Sequence, residues 1–146
     1  MKISTKGRYA LRMLLDLAIN QQQGCVCLKD IAQRQGISKK YLEQIVPALS
    51  KANILLTSRG FQGGYRLAVA PDKCTVGSVL RVTEGNMAPV ACLTNNAADC
   101  TRRDTCLTLP LWYELDRVIN EYLDSVTLQD ILDGKTDAAS KKLLDD

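Results

Sequence analysis

The first half of the chain contains three stretches in which apolar residues recur every three or four positions. The longest covers residues 5–22, and this spacing predicts an amphipathic helix. A second helix is predicted over residues 28–35, and Gly36 ends it. A third is predicted over residues 38–52, capped by its first residue, and Pro47 inside it is expected to bend or loosen the helix.

After the third helix the pattern changes to two short extended runs. Residues 54–57 and 65–69 are predicted strands, and three glycines lie in the connecting residues 58–64. Glycines permit a tight hairpin tip whose backbone can approach another surface closely. A helix-turn-helix followed by a hairpin is a winged helix-turn-helix. We therefore predict a mainly α fold in which residues 1–70 form a DNA-binding domain with a small β-hairpin wing.

The second half of the chain combines two helical regions with an irregular segment. Residues 71–86 are predicted to form a connecting helix, whereas residues 87–109 show neither helical nor strand periodicity. Residues 110–133 are predicted to hold a long helix opened by Pro110 and one more short helical turn. The polar residues 134–146 are expected to form a flexible tail.

A broad apolar stripe runs along the long helix that follows Pro110. A stripe this wide beside a small N-terminal core needs a partner surface, so we expect part of it to pair with the same helix of a second copy. The resulting homodimer would present two reading heads to a palindromic double-stranded DNA site. The stripe consists of Leu111, Trp112, Leu115, Val118, Ile119, Tyr122 and Leu123.

The net charge of +3 conceals an asymmetry between the two halves. Residues 1–66 carry eleven basic and three acidic side chains, a net charge of +8, whereas residues 67–146 carry eight basic and thirteen acidic ones, a net charge of −5. A basic half can hold phosphates, and an acidic half is repelled by them. Charge alone also suits two solvated surfaces of uneven composition, and the helix-turn-helix pattern favours the nucleic-acid interpretation.

The exposed front of the third helix carries residue types that suit the major groove. Lys and Tyr reach phosphates, Gln pairs with adenine edges, and Glu accepts a hydrogen bond from cytosine N4. The hairpin tip is placed for a narrow minor groove, where the negative potential attracts arginine. The competing interpretation of the helix-turn-helix is an ordinary amphipathic helix pair, and that of the arginine at the hairpin tip is a solvated charge. The predicted DNA-binding residues are Lys39, Lys40, Tyr41, Glu43, Gln44, Arg59 and Gly60.

The six cysteines fall into two groups of three. Cys25, Cys27 and Cys74 are expected to pack as small apolar residues. The other three lie in the irregular segment, and three thiols there suggest a ligand that orders it. Soft thiolates select iron–sulfur clusters, zinc or copper(I), and the lack of a Cys-x-x-Cys pair weakens the zinc interpretation. A reduced loop without metal is the alternative. The loop cysteines are Cys92, Cys100 and Cys106.

The sequence argues against several other classes of protein. It has no histidine to act as a base, no phosphate-binding glycine loop after a strand and no evident carboxylate pair, so we predict that the chain is not an enzyme. An electron carrier would not need a basic recognition helix. No apolar run approaches the roughly 20 residues that span a bilayer, and residues 1–6 do not resemble a secretory signal. We therefore expect a cytoplasmic protein with no membrane partner.

Several of these motifs resemble the Rrf-type winged-helix transcriptional regulators of bacteria. The resemblance implies a homodimer with crossed long helices, in which Glu43, Gln44 and Arg59 touch DNA bases or the minor groove. It covers most of the chain and rests on independent motifs. These are Ser4 to Ala10, Ile37 to Gln44, Arg59 to Tyr65, Cys106 to Thr108, Leu111-Trp112 and Thr127-Leu128.

The likeness is strongest to those members of the family that bind an iron–sulfur cluster. It implies a [2Fe-2S] cluster held by the three loop cysteines and control of genes for iron–sulfur biogenesis or related functions. In those members the fourth ligand is a histidine three residues after the last cysteine, and this chain has Leu109 there. The spacing between its first two loop cysteines is also two residues longer than usual. The candidate fourth ligands are Glu43, Asp99, Asp104, another oxygen donor, a small thiol and solvent.

A second interpretation keeps the DNA-binding regulator and removes the cluster. The signal is then oxidation of a cysteine or binding of a partner protein, as in the family members that control cysteine metabolism. Thiol state measured beside operator affinity distinguishes the two interpretations.

Overall fold

The computed structural model describes residues 1–94 and 100–137. Within them the chain is mainly helical with one antiparallel two-stranded hairpin, which confirms the predicted fold class. Short 3-10 turns occur at Gln21–Gln23, Pro71–Lys73, Ala91–Leu93 and Arg103–Thr105. The main elements are α1 (Thr5–Asn20), α2 (Leu28–Gln35), α3 (Lys39–Lys51), β1 (Leu55–Ser58), β2 (Gly64–Leu67), α4 (Val76–Glu84), α5 (Leu109–Ser125) and α6 (Leu128–Leu132).

Side-chain caps explain where most of the helices begin. Ser4, Ser38 and Thr75 each accept a hydrogen bond from the backbone N–H three residues later, at the first turns of α1, α3 and α4. Thr127 and Asp130 form a reciprocal capping box at α6. These local signals lie within a few residues of each helix, which is why the predicted boundaries agree closely with the structure. Helix α3 continues through Pro47 without interruption.

The three N-terminal helices and the hairpin share one hydrophobic core. Helices α2 and α3 are joined by a turn in which Gly36 adopts a left-handed conformation (φ 63°), and the next residue, Ile37, is buried between the elements. This confirms the predicted helix-turn-helix. The fully buried side chains of this core include Met13, Leu14, Leu17, Ile31, Leu42, Ile45 and Leu49.

A second, smaller cluster joins the C-terminal helices to this domain. Val76 and Leu80 of α4 pack with Met87 and Val126, and the C-terminal part of α5 lies against them. Arg81 of α4 forms an ion pair with Asp124 of α5 at 2.5 Å. No residue of α5 is itself buried. Tyr122 and Leu123 of the predicted apolar stripe pack against this cluster, whereas Leu111, Leu115 and Val118 are exposed.

One prediction needs correction. Cys27 is exposed, because it precedes the first turn of α2 at the edge of the domain, and Cys25 is only half-buried; of that group, Cys74 alone is buried as predicted. At the start of the segment predicted as a flexible tail, the Lys135 N–H donates to the Asp130 carbonyl at 2.8 Å. Residues 138–146 lie outside the described residues. Among the helices described, none is long and apolar enough to cross a bilayer.

Candidate DNA-binding surface and cysteine loop

The predicted reading face of α3 is solvent-exposed. The side chains of Lys39, Lys40, Glu43 and Gln44 are all exposed, while the opposite face of the helix faces the core. Lys39 Nζ lies 3.6 Å from Glu43 Oε1, one helical turn away. An exposed pair of this kind contributes less than about 1 kcal/mol, so a phosphate or a base can displace it at little cost.

Tyr41 differs from the other predicted contacts because its ring is half-buried. The ring packs edge-to-face against Tyr9 of α1, with centroids 5.2 Å apart and an interplanar angle of 74°. The Arg12 guanidinium lies over the Tyr9 ring at 5.4 Å from its centroid. These contacts fix the first turn of α3 against α1. The packing role of Tyr9 and Arg12 does not follow from the helical spacing of α1, because their partner Tyr41 lies about thirty residues later in the chain.

A buried carboxylate on α1 holds α2 in place. The Asp16 carboxylate accepts two hydrogen bonds from the Arg34 guanidinium, at 2.6 and 3.0 Å, and one from the Gln35 amide at 3.0 Å. Burial alone would raise the pKa of Asp16, but the hydrogen bonds from Arg34, Gln35 and Asn20 outweigh it and lower that pKa. Because α2 and α3 are connected by a short turn, this network also fixes the orientation of α3. An acidic residue on the buried face of α1 was the available sequence signal.

The wing is anchored at its base and tightly closed at its tip. The Val26 and Tyr65 backbones exchange two hydrogen bonds of 2.8 Å, which attach the link between α1 and α2 to β2. At the tip, the Gly63 N–H donates to the Gly60 carbonyl at 2.9 Å. A Cβ on Gly63 would lie 2.5 Å from the Ser58 carbonyl oxygen, so only glycine fits there. Arg59 and Gly60 are both exposed at this tip, where the sequence predicted them.

The three loop cysteines lie between α4 and α5 and differ in exposure. Cys92 lies in a 3-10 turn and Cys106 lies close before α5, both half-buried, and Cys100 is exposed. Across residues 1–94 and 100–137, no three His, Cys, Asp or Glu side chains come together as a metal site. Leu109 is the first residue of α5. The donor chemistry of three thiols suits an iron–sulfur cluster, although the three are not gathered into one site among the described residues.

The candidate fourth ligands are not gathered around these thiols either. Glu43 lies on the reading face of α3 and pairs with Lys39. Asp104 is exposed in the 3-10 turn before Cys106, and Asp99 lies outside the described residues. The structure therefore selects no fourth ligand.

The thiol of Cys106 has an environment that favours its ionised form. Its Sγ lies 3.4 Å from the Thr108 hydroxyl, and this hydrogen bond is the main cause that lowers the pKa of Cys106. The Leu109 N–H at the start of α5 and the charge of Arg102 act in the same direction. By contrast, burial raises the pKa of Cys74. Cys106 is therefore an activated thiol beside the long helix.

Arg103 connects the cysteine loop to that helix. Its guanidinium donates to the Cys92 carbonyl at 3.5 Å and to the Tyr113 hydroxyl on the first turns of α5 at 2.6 Å. Arg103 therefore links the loop around Cys92 to a side chain of α5. No local sequence pattern indicates this link, because its three members are separated along the chain.

These features define a winged helix-turn-helix protein with a basic reading face, a hairpin wing and a cysteine-containing loop beside a long helix that exposes apolar residues. The family model described as Rrf2, iron-dependent transcriptional regulator, matches residues 3–134. The chain belongs to the Rrf2 family and is a transcriptional regulator. Its relatives are regulators rather than enzymes, which confirms that prediction.

Both branches suggested by the sequence occur among its relatives. The transcriptional regulator IscR of Aliivibrio salmonicida is 39% identical over 132 residues, which cover 90% of this chain and 77% of that protein. The structure of CymR, the global cysteine regulator of B. subtilis, is 39% identical with a TM-score of 0.72, covering 90% of this chain and 95% of that one. The structure of T. potens IscR is 38% identical with the same TM-score of 0.72, covering 94% and 90%.

Proposed function

We propose that this regulator binds a palindromic DNA site as a homodimer and that its three-cysteine loop controls the binding. The observation that carries the proposal is the reading face of α3 beside the wing. Lys40 and Gln44 are exposed on a helix whose other face is fixed by the core, and Arg59 extends from the adjacent hairpin. Lys39, Lys40 and Tyr41 are proposed as phosphate contacts, Glu43 and Gln44 as base contacts, and Arg59 with Gly60 as minor-groove contacts.

The dimer follows from the apolar face of α5. Leu111 and Val118 are 57% and 41% exposed on one side of this helix. The charged residues Glu114, Arg117 and Glu121 form their own ion-pair network at spacings of three and four residues. The exposed apolar face of an amphipathic helix can be buried against the same face of a second copy, related by two-fold symmetry. Such a dimer sets the distance between two reading helices.

The proposed signal is an iron–sulfur cluster held by Cys92, Cys100 and Cys106. When bound, the cluster would supply a redox-sensitive group whose presence depends on iron and oxygen. The role of the chain's own residues is to transmit the state of the loop: Arg103 joins the Cys92 carbonyl to Tyr113 of α5. Because α5 sets the spacing of the reading heads, loop order and DNA affinity are thermodynamically coupled.

A second candidate signal is the thiol state itself. The lowered pKa of Cys106 increases its thiolate fraction near neutral pH, and thiolate is the form that oxidants attack. The similarity to a cysteine regulator of B. subtilis favours this alternative in the same degree as the IscR relatives favour the cluster.

The proposal is tested by selecting duplexes from a random-sequence library with anaerobically purified protein. We expect an inverted repeat to be enriched and the affinity to fall steeply with salt, since basic side chains hold phosphates. The K40A and Q44A variants should lose affinity, and D72N, an exposed acidic site outside the reading face, should not. A protein that enriches no sequence, or binds with no salt dependence, contradicts the DNA-binding proposal.

Iron, sulfide and visible absorption of the same preparation separate the two signals. The cluster proposal expects all three, together with their loss in the C92S, C100S and C106S variants. Absence of iron and sulfide from anaerobic protein rejects it. The oxidation proposal then expects DNA affinity to change with the thiol state of Cys106, as measured by mass spectrometry.

A further inference from the structure

The tip of the wing carries an aromatic side chain that contacts nothing. Phe61 is the single phenylalanine of the chain, and its relative accessible surface is 105%. Isolated exposed apolar residues are common on protein surfaces, so exposure alone carries no inference. The position of Phe61 is informative, because it lies two residues after Arg59 on the hairpin that is proposed to enter a DNA groove.

The local backbone presents Phe61 outward in a fixed geometry. It occupies the second position of the four-residue turn that the Gly63 N–H and the Gly60 carbonyl close at 2.9 Å. The close approach of Gly63 to the Ser58 carbonyl leaves no space for a side chain on the inner side of this turn. The anchored base, where Val26 and Tyr65 exchange hydrogen bonds, holds the hairpin against the domain. A phenyl ring has only two side-chain torsions, so ordering it on binding costs little entropy.

The wing and the reading face both carry exposed basic side chains. Arg59 and Arg66 are exposed on the same hairpin, and Lys39 and Lys40 are exposed on α3. An apolar side chain on a basic surface fits a ligand that combines a polyanionic backbone with apolar surface. The minor groove of DNA has phosphates along its rims and base edges at its floor, and the apolar base faces become accessible where a base step opens. DNA-binding proteins insert apolar side chains there and partly unstack that step.

We propose that Phe61 is a wedge that enters the minor groove and partly unstacks a pyrimidine–purine step beneath the wing. Such steps have the weakest stacking and bend most easily, so the wedge selects them without hydrogen bonds to bases. Arg59 supplies the electrostatic attraction to the groove. Phe61 makes the affinity depend on how easily the base step is deformed. The proposal deepens the proposed function and rests on it.

The test uses the full-length protein and the duplex that it enriches from a random-sequence library. Two versions of that duplex are compared, one with a TA step at the wing position and one with a stiff A-tract there. A 2-aminopurine base in the step reports unstacking through increased fluorescence. The variants are F61A and F61L, and I19A serves as the matched control because Ile19 is also an exposed apolar side chain of the same domain.

We expect wild-type protein to prefer the TA duplex and to raise its 2-aminopurine fluorescence. F61A should bind that duplex about 10-fold more weakly, a difference of about 1.4 kcal/mol, and lose both the preference and the fluorescence change. F61L should retain part of each, because leucine is also a wedge. The salt dependence of F61A should equal that of wild type, since no phosphate contact is removed. All variants should fold normally because the ring packs on nothing, and I19A should bind as wild type.

Equal affinity of F61A and wild type for both duplexes overturns the proposal. An equal loss of F61A affinity for the two duplexes also overturns it, and so does wild-type binding without a change in 2-aminopurine fluorescence. Either result would show that the ring does not act on the base step. A change of oligomeric state in F61A with unchanged DNA affinity would assign the ring to a protein contact instead. If wild-type protein enriches no duplex, the proposed function fails before any Phe61 variant is compared, and the wedge fails with it.

Discussion

The Arg34 guanidinium meets the Asp16 carboxylate in a two-point ion pair, with Nη2 2.6 Å from Oδ1 and Nε 3.0 Å from Oδ2. Asp16 is 1% exposed and the Arg34 side chain is 40% exposed, so one partner is buried and the other reaches solvent. This pair holds α2 against α1 and, through the short turn at Gly36, orients the reading helix. Asp16 is the only buried charged side chain in the described core, so its replacement should affect stability strongly.

Replacing Asp16 with asparagine should destabilise the protein by about 2 kcal/mol. The cost lies below the 3–5 kcal/mol typical of a broken buried pair, because Arg34 can turn to solvent and asparagine still accepts one hydrogen bond. Urea unfolding measures the change. The control is D72N, which removes an exposed carboxylate 3.9 Å from Lys73 and should shift stability by less than about 0.5 kcal/mol. Equal effects of the two variants would contradict a structural role for Asp16.

The same residue should make stability depend on pH in the acid range. The folded-state pKa of Asp16 is lowered, so the ionised pair contributes its full stabilisation above the unfolded-state pKa of about 3.9. That contribution is lost as the pH falls through the folded-state pKa. The difference in unfolding free energy between wild type and D16N should therefore be constant near neutral pH and shrink in acid. A difference that does not change with pH would show that the carboxylate charge is not what stabilises the fold.

Cys106 should react with iodoacetamide much faster than Cys74. The Thr108 hydroxyl lowers its pKa, whereas burial raises the pKa of Cys74 and shields it. We expect alkylation of Cys106 at neutral pH and none of Cys74 in the folded protein, as read by peptide mass spectrometry. T108V should slow the reaction of Cys106 several-fold and shift its pH profile upward. An unchanged profile in T108V would mean that the hydrogen bond does not activate the thiol.

A charge on the apolar face of α5 should break the proposed homodimer. V118E places a carboxylate within the face that includes Leu111 and Leu115, where desolvation without a partner is costly. We expect monomers by light scattering and a large loss of affinity for a palindromic duplex. E121Q changes the charged face of the same helix and should remain dimeric. A dimeric V118E protein would exclude this face as the interface.

Loss of the link between the cysteine loop and α5 should uncouple signal from DNA binding. R103A removes the donors to the Cys92 carbonyl and the Tyr113 hydroxyl, and Y113F removes only the second. Both should keep the DNA affinity of the reduced, cluster-free protein while reducing the affinity change that follows cluster loading or thiol oxidation. Y113F should have the smaller effect. K73A, which removes an exposed charge paired with Asp72 outside the cysteine loop, is the control. Normal coupling in R103A would show that the signal takes another route.

Local sequence signals were sufficient for the secondary structure and for the exposed position of the candidate DNA contacts on α3 and the wing. The caps at Ser4, Ser38, Thr75 and Thr127 act within three residues, and helical spacing marks which face is apolar. The wing followed from two short extended runs and the glycines between them. The family resemblance also rests on continuous stretches of sequence, and the match to the Rrf2 family confirms it.

Only the tertiary structure decided features that depend on residues far apart in the chain. Asp16 is buried because Arg34 and Gln35, eighteen and nineteen residues later, satisfy its oxygens, and Arg103 meets Tyr113 and Cys92 across a folded loop. Cys27 was predicted to be buried and is exposed, because burial depends on which element covers a residue rather than on its own polarity. Sequence thus determined which helices form and which surface is basic. Long-range packing determined how the reading helix is held and left Phe61 alone at the tip of the wing.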